Sequence, residues 1–319
     1  MLPSVSVGIV TFHPDDLLAR CIASVRAQDY PDLTFHVWDN AATAASRTLI
    51  ASLTDASERT HSDANLGFSG GHNALIGRGT AAYYLCLNPD AILDPGYVRG
   101  LVAALEAAPA AGSATGRLLR LDQPHILDST GIVMTPDQRH LDRGAGVPAD
   151  GRYLEGPESI FGPSGAVAMY RRAMLDDIAY AGEYFDQAFF AYREDADLAW
   201  RARWRGWDSL YVPTALAWHR RRVTPERRSD LPAEINRYSV RNRFLLRLKN
   251  QPLALAWRFL APGLVRDAQV VGYVLLREWS SIPGLVDVVR LLPSMVAKRR
   301  HVLGRRKATD AELVRWFVA

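Results

Sequence analysis

The sequence predicts an α/β protein: a doubly wound, mostly parallel sheet with flanking helices, followed by a helical C-terminal region. Three observations carry this. Short apolar runs alternate with helix-period runs from residue 5 to residue 107, the signature of βαβ units. Acidic residues, Asp39 and Asp90, fall just past two of the apolar runs, where open α/β sheets place ligands. From Glu234 onward the pattern turns helical, with long apolar faces broken by single charges and by Pro262, Pro283 and Pro293.

In order, residues 5–11 read as a strand. Residues 17–28 read as a helix with Leu17, Leu18, Cys21, Ile22 and Val25 on one face, and Asp15 or Asp16 is placed to cap it. Tyr30-Pro31-Asp32 is a turn. A strand follows at 34–38 and a helix at 44–53. The glycine-rich stretch 65–71 reads as a turn entering a helix. Residues 81–87 form a buried strand and 97–107 a helix. The stretch 109–163, rich in Gly, Pro and Asp, reads as short strands and loops. A buried strand at 164–170 precedes a helix at 171–178. The expected division is a catalytic domain over residues 1–250 and a helical region over 251–319.

Bulk properties narrow the class. At 319 residues and 48% hydrophobic, the chain can build a large core without staples. Its two cysteines, Cys21 and Cys86, lack pairing or metal-ligand spacing, which fits a reducing cytoplasm. No secretory leader is expected, and no uncharged apolar run reaches membrane-spanning length. The net charge of +4 is concentrated in basic runs at 220–222, 227–228, 298–300 and 305–307. Such runs are solvated surface or meet an anion.

The chemistry-bearing stretch is 189–205, FFAYREDADLAWRARWR. Glu194, Asp195 and Asp197 open a helix, which complements its dipole and also positions a carboxylate base. The helix N-terminus should favour the ionised form of Asp195. Asp90, in Asn88-Pro89-Asp90, is the metal-ligand candidate, since Mg²⁺ needs only one or two carboxylates beside substrate phosphates. Asp39 could accept hydrogen bonds from a base or ribose, or make a local turn. The stretch Asn65-Leu66-Gly67-Phe68-Ser69-Gly70-Gly71-His72-Asn73 could bring backbone amides to a phosphate or be a tight turn. It matches no standard mononucleotide or dinucleotide fingerprint. His219, beside Arg220, Arg221 and Arg222, could complete a metal and diphosphate site. Arg237, Arg241, Asn242 and Arg243 share one helix and could neutralise the same anion or lie on the surface.

Taken together, VSVGIVTFH, WDN, NLGFSGGHN, LNPDA, GPSGAVAMYRR, FFAYREDADLAWRARWRGW, WHRRR and RYSVRNR resemble inverting family 2 glycosyltransferases of the GT-A fold, in particular the rhamnosyltransferase-like branch. The resemblance covers roughly residues 5–250. It implies that Thr11 and Asp39 meet the donor nucleotide. Asn65, Gly67 and Asn73 would border the nucleotide and diphosphate, with Asn88, Arg220 and Arg222 at the diphosphate. Asp90 matches the last acid of an Asp-x-Asp metal motif, with Asn88 standing where the family has its first acid. His219 matches a position that can ligate Mg²⁺ or Mn²⁺. Ser164, Gly165 and Ala166 would line the acceptor side. Asp195 matches the catalytic base, preceded by Glu194.

The expected partners are a nucleoside-diphosphate sugar, first dTDP-rhamnose, and a hydroxyl on a glycan or polyprenyl-linked glycan in cell-surface polysaccharide synthesis. Amphipathic helices over 253–306 are expected on an anionic cytoplasmic membrane face, or against the core or a second subunit. Two other classes fit the residues less well. A nucleotidyltransferase would carry a glycine-rich basic loop after its first strand, where this chain has Thr11-Phe12-His13-Pro14-Asp15-Asp16. A non-catalytic membrane or nucleic-acid module leaves the acidic constellation without a role.

Overall fold

The computed structural model describes residues 2–221 and 231–318. The N-terminal half runs β1 (Val5–Thr11), α1 (Leu17–Arg26), β2 (Leu33–Asp39), α2 (Ala44–Leu53), β3 (Arg59–His61), α3 (Gly67–Gly77), β4 (Tyr83–Leu87), β5 (Ala91–Leu93), α4 (Tyr97–Ala107) and β6 (Ala111–Arg120). Short strands β7 (Leu127–Ser129), β8 (Ile132–Met134), β9 (His140–Asp142) and β10 (Glu158–Ser159) follow. Then come β11 (Val167–Arg171), α5 (Arg172–Ile178), α6 (Glu194–Trp204) and β12 (Asp208–His219). The helices α7 (Ala233–Asn250), α8 (Leu253–Arg258), α9 (Leu260–Arg277), α10 (Ile282–Gly304) and α11 (Asp310–Val314) complete the described chain.

The main sheet has the order β10-β12-β6-β11-β4-β1-β2-β3, with β5 added to β12 and β7 to β6. Parallel ladders join β4, β1, β2 and β3, and β6 to β12. β11 enters antiparallel between β4 and β6. Val5, Val7, Ile9, Leu85 and Leu87 are buried beneath α1 and α4, giving a core of aliphatic side chains with Tyr83 and Tyr97. This is the mixed, mostly parallel α/β architecture of the GT-A fold. It brings the C-terminal ends of β1, β2 and β4 to one edge, which positions the site.

Two expectations are corrected. The glycine stretch is helix rather than turn: α3 begins at Gly67, which alone takes a left-handed φ of +68° there. A Cβ at Gly67 would lie 2.5 Å from the Phe190 carbonyl oxygen, so the glycine serves close packing. In the stretch read as short strands and loops, β6 is a ten-residue strand inside the sheet, buried along most of its length.

The C-terminal helices do not stand apart. Leu245, Leu246, Leu255, Met295, Val302 and Phe317 share a core with Phe161, Trp200 and Trp204. A buried ion cluster joins the same parts. Asp197 accepts from Arg201 Nε (2.9 Å), Lys249 Nζ (2.8 Å) and Asn250 Nδ2 (2.8 Å). Lys249 also reaches Asp186 (2.8 Å), which in turn binds Lys298 of α10.

Candidate active site

The backbone before α6 is strained. Phe190, Tyr192 and Arg193 all have positive φ, 65°, 69° and 71°, at a cost of about 1–3 kcal/mol each. Such residues persist where their surroundings over-determine them, and α7 does this. Asn242, fully buried, donates from Nδ2 to the carbonyls of Phe189, Ala191 and Tyr192, each at 2.8 Å. Arg241 Nη2 donates to the carbonyls of Ala188 (2.6 Å) and Phe189 (2.9 Å), and the Tyr238 ring lies 4.8 Å from that of Phe190. Arg241 and Asn242 are therefore structural clamps on this loop; Arg243 is engaged by Asp267 (3.1 Å) and the Asp137 carbonyl (2.9 Å), and Arg237 pairs with Asp287 of α10.

This clamp delivers Asp195 to the sheet edge. Its Oδ2 accepts the Gly165 N–H (3.0 Å) and its Oδ1 the Ala196 N–H (2.7 Å), while the residue keeps partial solvent access. The helix N-terminus was expected to keep it ionised. Instead burial raises its pKa to about 6, outweighing the two amide hydrogen bonds. That value suits a base working near neutrality. Glu194 is different. It is buried, its Oε2 has no hydrogen-bond partner, and burial with the neighbouring Asp195 and Asp197 pushes its pKa far up. Glu194 lies buried behind Asp195, in surroundings that favour its protonated form. Asp197 is fully consumed by the ion cluster.

The other acid lies past β4. His219, at the end of β12, sits opposite Ala91 in the β5 register, and its Nε2 is 3.4 Å from Asp90 Oδ1. Its Nδ1 is anchored at 2.8 Å on Asp128 Oδ2. Asp128 also accepts from Arg221 Nε, and Arg221 reaches Asp142 at 2.7 Å. Burial opposes charge on His219, but Asp128 and Asp90 outweigh it and raise its pKa to about 9. Asp90 and His219 fit a divalent ion: one carboxylate and one imidazole at ligand spacing, the imidazole oriented through its second nitrogen. Among the described residues no group of three or more His, Cys, Asp or Glu could hold an ion. A bound ion would thus depend on substrate oxygens, the usual situation for Mg²⁺. It would also displace the His219 proton.

The two ends are physically continuous. Asp195 holds Gly165; the next residue, Ala166, accepts the Asn88 N–H at 2.9 Å. Asn88 Nδ2 lies 3.4 Å from His219 Nε2, and His219 meets Asp90. Asp195 and the Asp90–His219 pair therefore flank one short edge at the end of β4. The sequence model for "Glycosyl transferase family 2" matches residues 6–179, more than half of the chain. The chain belongs to glycosyl transferase family 2. Its fold is shared by the Staphylococcus aureus TarS fragment 1–349 in complex with UDP-GlcNAc (16% identity, TM-score 0.57, 94% of this chain and 89% of that one). It is shared too by mannosyltransferase PcManGT from Pyrobaculum calidifontis, in complex with GDP-Man and Mn²⁺ (15%, 0.56, 96% and 86%). A third is GalNAc-T7 with UDP, GalNAc and Mn²⁺ (12%, 0.56, 86% and 58%). The chain spans half the length of the longer TarS structure. A search of curated proteins finds no match.

Other expected site residues of this family 2 transferase fall into two groups. Thr11 and Asp39 do come together, with Thr11 Oγ1 3.3 Å from Asp39 Oδ1. Asp39, however, is fully buried, and its Oδ2 is taken by Ser46 (2.8 Å) and His61 (3.0 Å). It is a second-layer anchor here, and half-buried His61 is the group nearer solvent. Asn73 is engaged by the chain at 184–185: its amide bonds Phe185 O (2.7 Å) and its oxygen accepts from Tyr184 and Phe185. Asn65 Oδ1 caps the Gly67 N–H at 2.9 Å. Gly165 and Ala166 form the link to Asp195 just described, and Ser164 beside them is buried. Arg220 donates its N–H to the Asp90 carbonyl (3.2 Å), and its guanidinium lies 3.6 Å from Asp15. Arg222 lies outside the described residues. Sequence reasoning missed Asp128, which sits in an unremarkable Leu-Asp-Ser strand, and it named Asn242 only as an anion or surface residue, whereas its amide holds the loop before α6.

Proposed function

We propose that this transferase is inverting and metal-dependent. It moves a sugar from a nucleoside diphosphate to a hydroxyl of a glycan or lipid-linked glycan in cell-surface polysaccharide synthesis. The observation that supports this reading is the contact chain Asp195–Gly165–Ala166–Asn88–His219–Asp90, with one carboxylate at one end and a carboxylate–imidazole pair at the other. Asp195 takes the acceptor proton as the acceptor oxygen bonds to the anomeric carbon. The bond from that carbon to the diphosphate oxygen breaks, and the electron pair leaves with the nucleoside diphosphate. Attack from the Asp195 side, opposite the leaving group, inverts the anomeric centre. Asp90 and His219 would hold the divalent ion, whose charge would favour the departing diphosphate. A dTDP-rhamnose donor is the first expectation, on the resemblance of NLGFSGGHN and LNPDA.

A thermal-shift panel of nucleotide sugars, each with and without Mn²⁺ or Mg²⁺, tests the reading. A specific donor stabilises the folded chain by mass action, and more so with the ion present. No shift with any nucleotide sugar, together with pyrophosphate release from a nucleoside triphosphate, would make the chain a nucleotidyltransferase instead.

A further inference from the structure

The helices α8 to α10 turn an apolar face outward. Trp257 is 72% exposed, Leu276 77%, Trp279 71% and Val289 71%. On α10, Ile282, Val286, Val289, Leu292 and Val296 follow each other at steps of three and four and are all exposed, so they form one stripe. The opposite stripe, with Gly284, Asp287, Met295 and Val302, is buried. A water-facing helix shows the reverse pattern, and a continuous apolar surface of this kind marks an interaction site.

Charge identifies what it meets. Every carboxylate of residues 253–304 is turned to the protein or tied locally. Asp267 pairs with Arg243 (3.1 Å) and Arg247 (2.6 Å), Asp287 binds Arg237, and Glu278 accepts from Ser281. The exposed charges of the same segment, Arg258, Arg277, Arg290 and Arg300, are all cationic. A second copy would oppose like charges; an anionic lipid surface complements both the arginines and the apolar, tryptophan-bearing face.

We infer that α8–α10 rest on an anionic bilayer, lying in its interface. By length and apolarity Trp279–Gly304 could also cross a membrane. Its inner stripe forbids that, because Asp287 and Lys298 anchor α10 to Arg237 and Asp186. The inner stripe of α10 is linked to the loop that carries Asp195: Arg237, bound to Asp287, adjoins Tyr238, whose ring lies 4.8 Å from that of Phe190, five residues before Asp195. This placement suits a lipid-linked acceptor arriving from the membrane plane, a point that rests on the transferase reading.

Flotation of the full chain with phosphatidylcholine vesicles, with and without phosphatidylglycerol, is the test. The wild type should float with the anionic vesicles at low salt and much less with neutral ones. Leu276→Asp combined with Val289→Asp should abolish flotation, with thermal unfolding unchanged because both side chains are already exposed. Arg277→Glu combined with Arg290→Glu should weaken it by about fivefold or more per arginine. The inference fails if the wild type stays soluble with anionic vesicles at low salt. It fails equally if flotation survives Leu276→Asp/Val289→Asp. A wild-type dimer that this double variant makes monomeric, without vesicle binding, would assign the face to a second copy. The donor-induced thermal shift is read in parallel: its loss in the wild type would strike the transferase reading alone.

Discussion

Replacing Asp195 with Asn should make the protein more stable and nearly inactive. The amide keeps the shape of the carboxyl and an acceptor for the Gly165 N–H, but cannot take a proton. Transfer should fall about 10²–10⁴-fold, the scale of general-base help. In the wild type a base of pKa about 6 is roughly nine-tenths ionised at pH 7 and one-tenth at pH 5, so the rate should drop about tenfold across the acid limb. The variant should lose that limb. Stability moves oppositely. Burial raises the folded pKa from 3.8 to about 6. The folded chain thus binds this proton more tightly than the unfolded chain. The resulting stabilisation is fully present below the unfolded value and is lost as pH rises through about 6. Two units correspond to about 3 kcal/mol; partial solvent access reduces this to roughly 1–2 kcal/mol. Asn never ionises, so the variant should have the higher urea midpoint at pH 7.5, with the gap closing toward pH 4. Nucleoside-diphosphate release and urea unfolding, each followed against pH, measure both halves. Near-normal transfer by the variant would remove Asp195 from the role. A variant less stable than wild type at pH 7.5 would refute the burial argument.

Two further outcomes follow from the site. Asp128→Asn removes the carboxylate that orients His219, and Mn²⁺ affinity measured calorimetrically in the presence of nucleoside diphosphate should fall about 10–100-fold; unchanged affinity would exclude His219 as a ligand. Asn242→Ala strips the donor from three carbonyls of the strained loop, so transfer should drop at least tenfold and stability by about 1–3 kcal/mol, while the donor-induced thermal shift persists; normal turnover would show that the loop holds itself.

The first half of the fold was legible because its strands and helices obey single periodicities. The apolar face of α1 and the fully buried run of β4 are both plain in the residues. β6 escaped because it is covered on both sides by close neighbours. A Cβ at Gly116 would lie 2.1 Å from the Ala215 carbonyl oxygen, so the strand is written in small residues that read as loop. The acids Asp90 and Asp195 announced themselves by position after a strand and at a helix start. Their tuning did not. Whether a carboxylate near a helix N-terminus ends below or above its usual pKa depends on burial by residues distant in sequence. Asp39 and Asn73 show the same limit: residue type and place suggested ligand contact, but tertiary partners had already claimed their polar atoms.

The ion cluster beneath α6 has a consequence for how the protein comes into being. Asp186 and Asp197 flank the strained loop before α6. Asp197 meets Arg201 within its own helix, but the lysines that complete the cluster arrive late in synthesis: Lys249 lies 52 residues beyond Asp197, and Lys298 lies 112 beyond Asp186. A nascent chain that has exposed only the sheet and α6 carries two buried-type carboxylates with no lysine to meet them. The loop before α6 therefore gains its full set of ion pairs only once α10 has been made. The last long helix to be made thus both completes the ion cluster beneath α6 and carries the exposed apolar stripe.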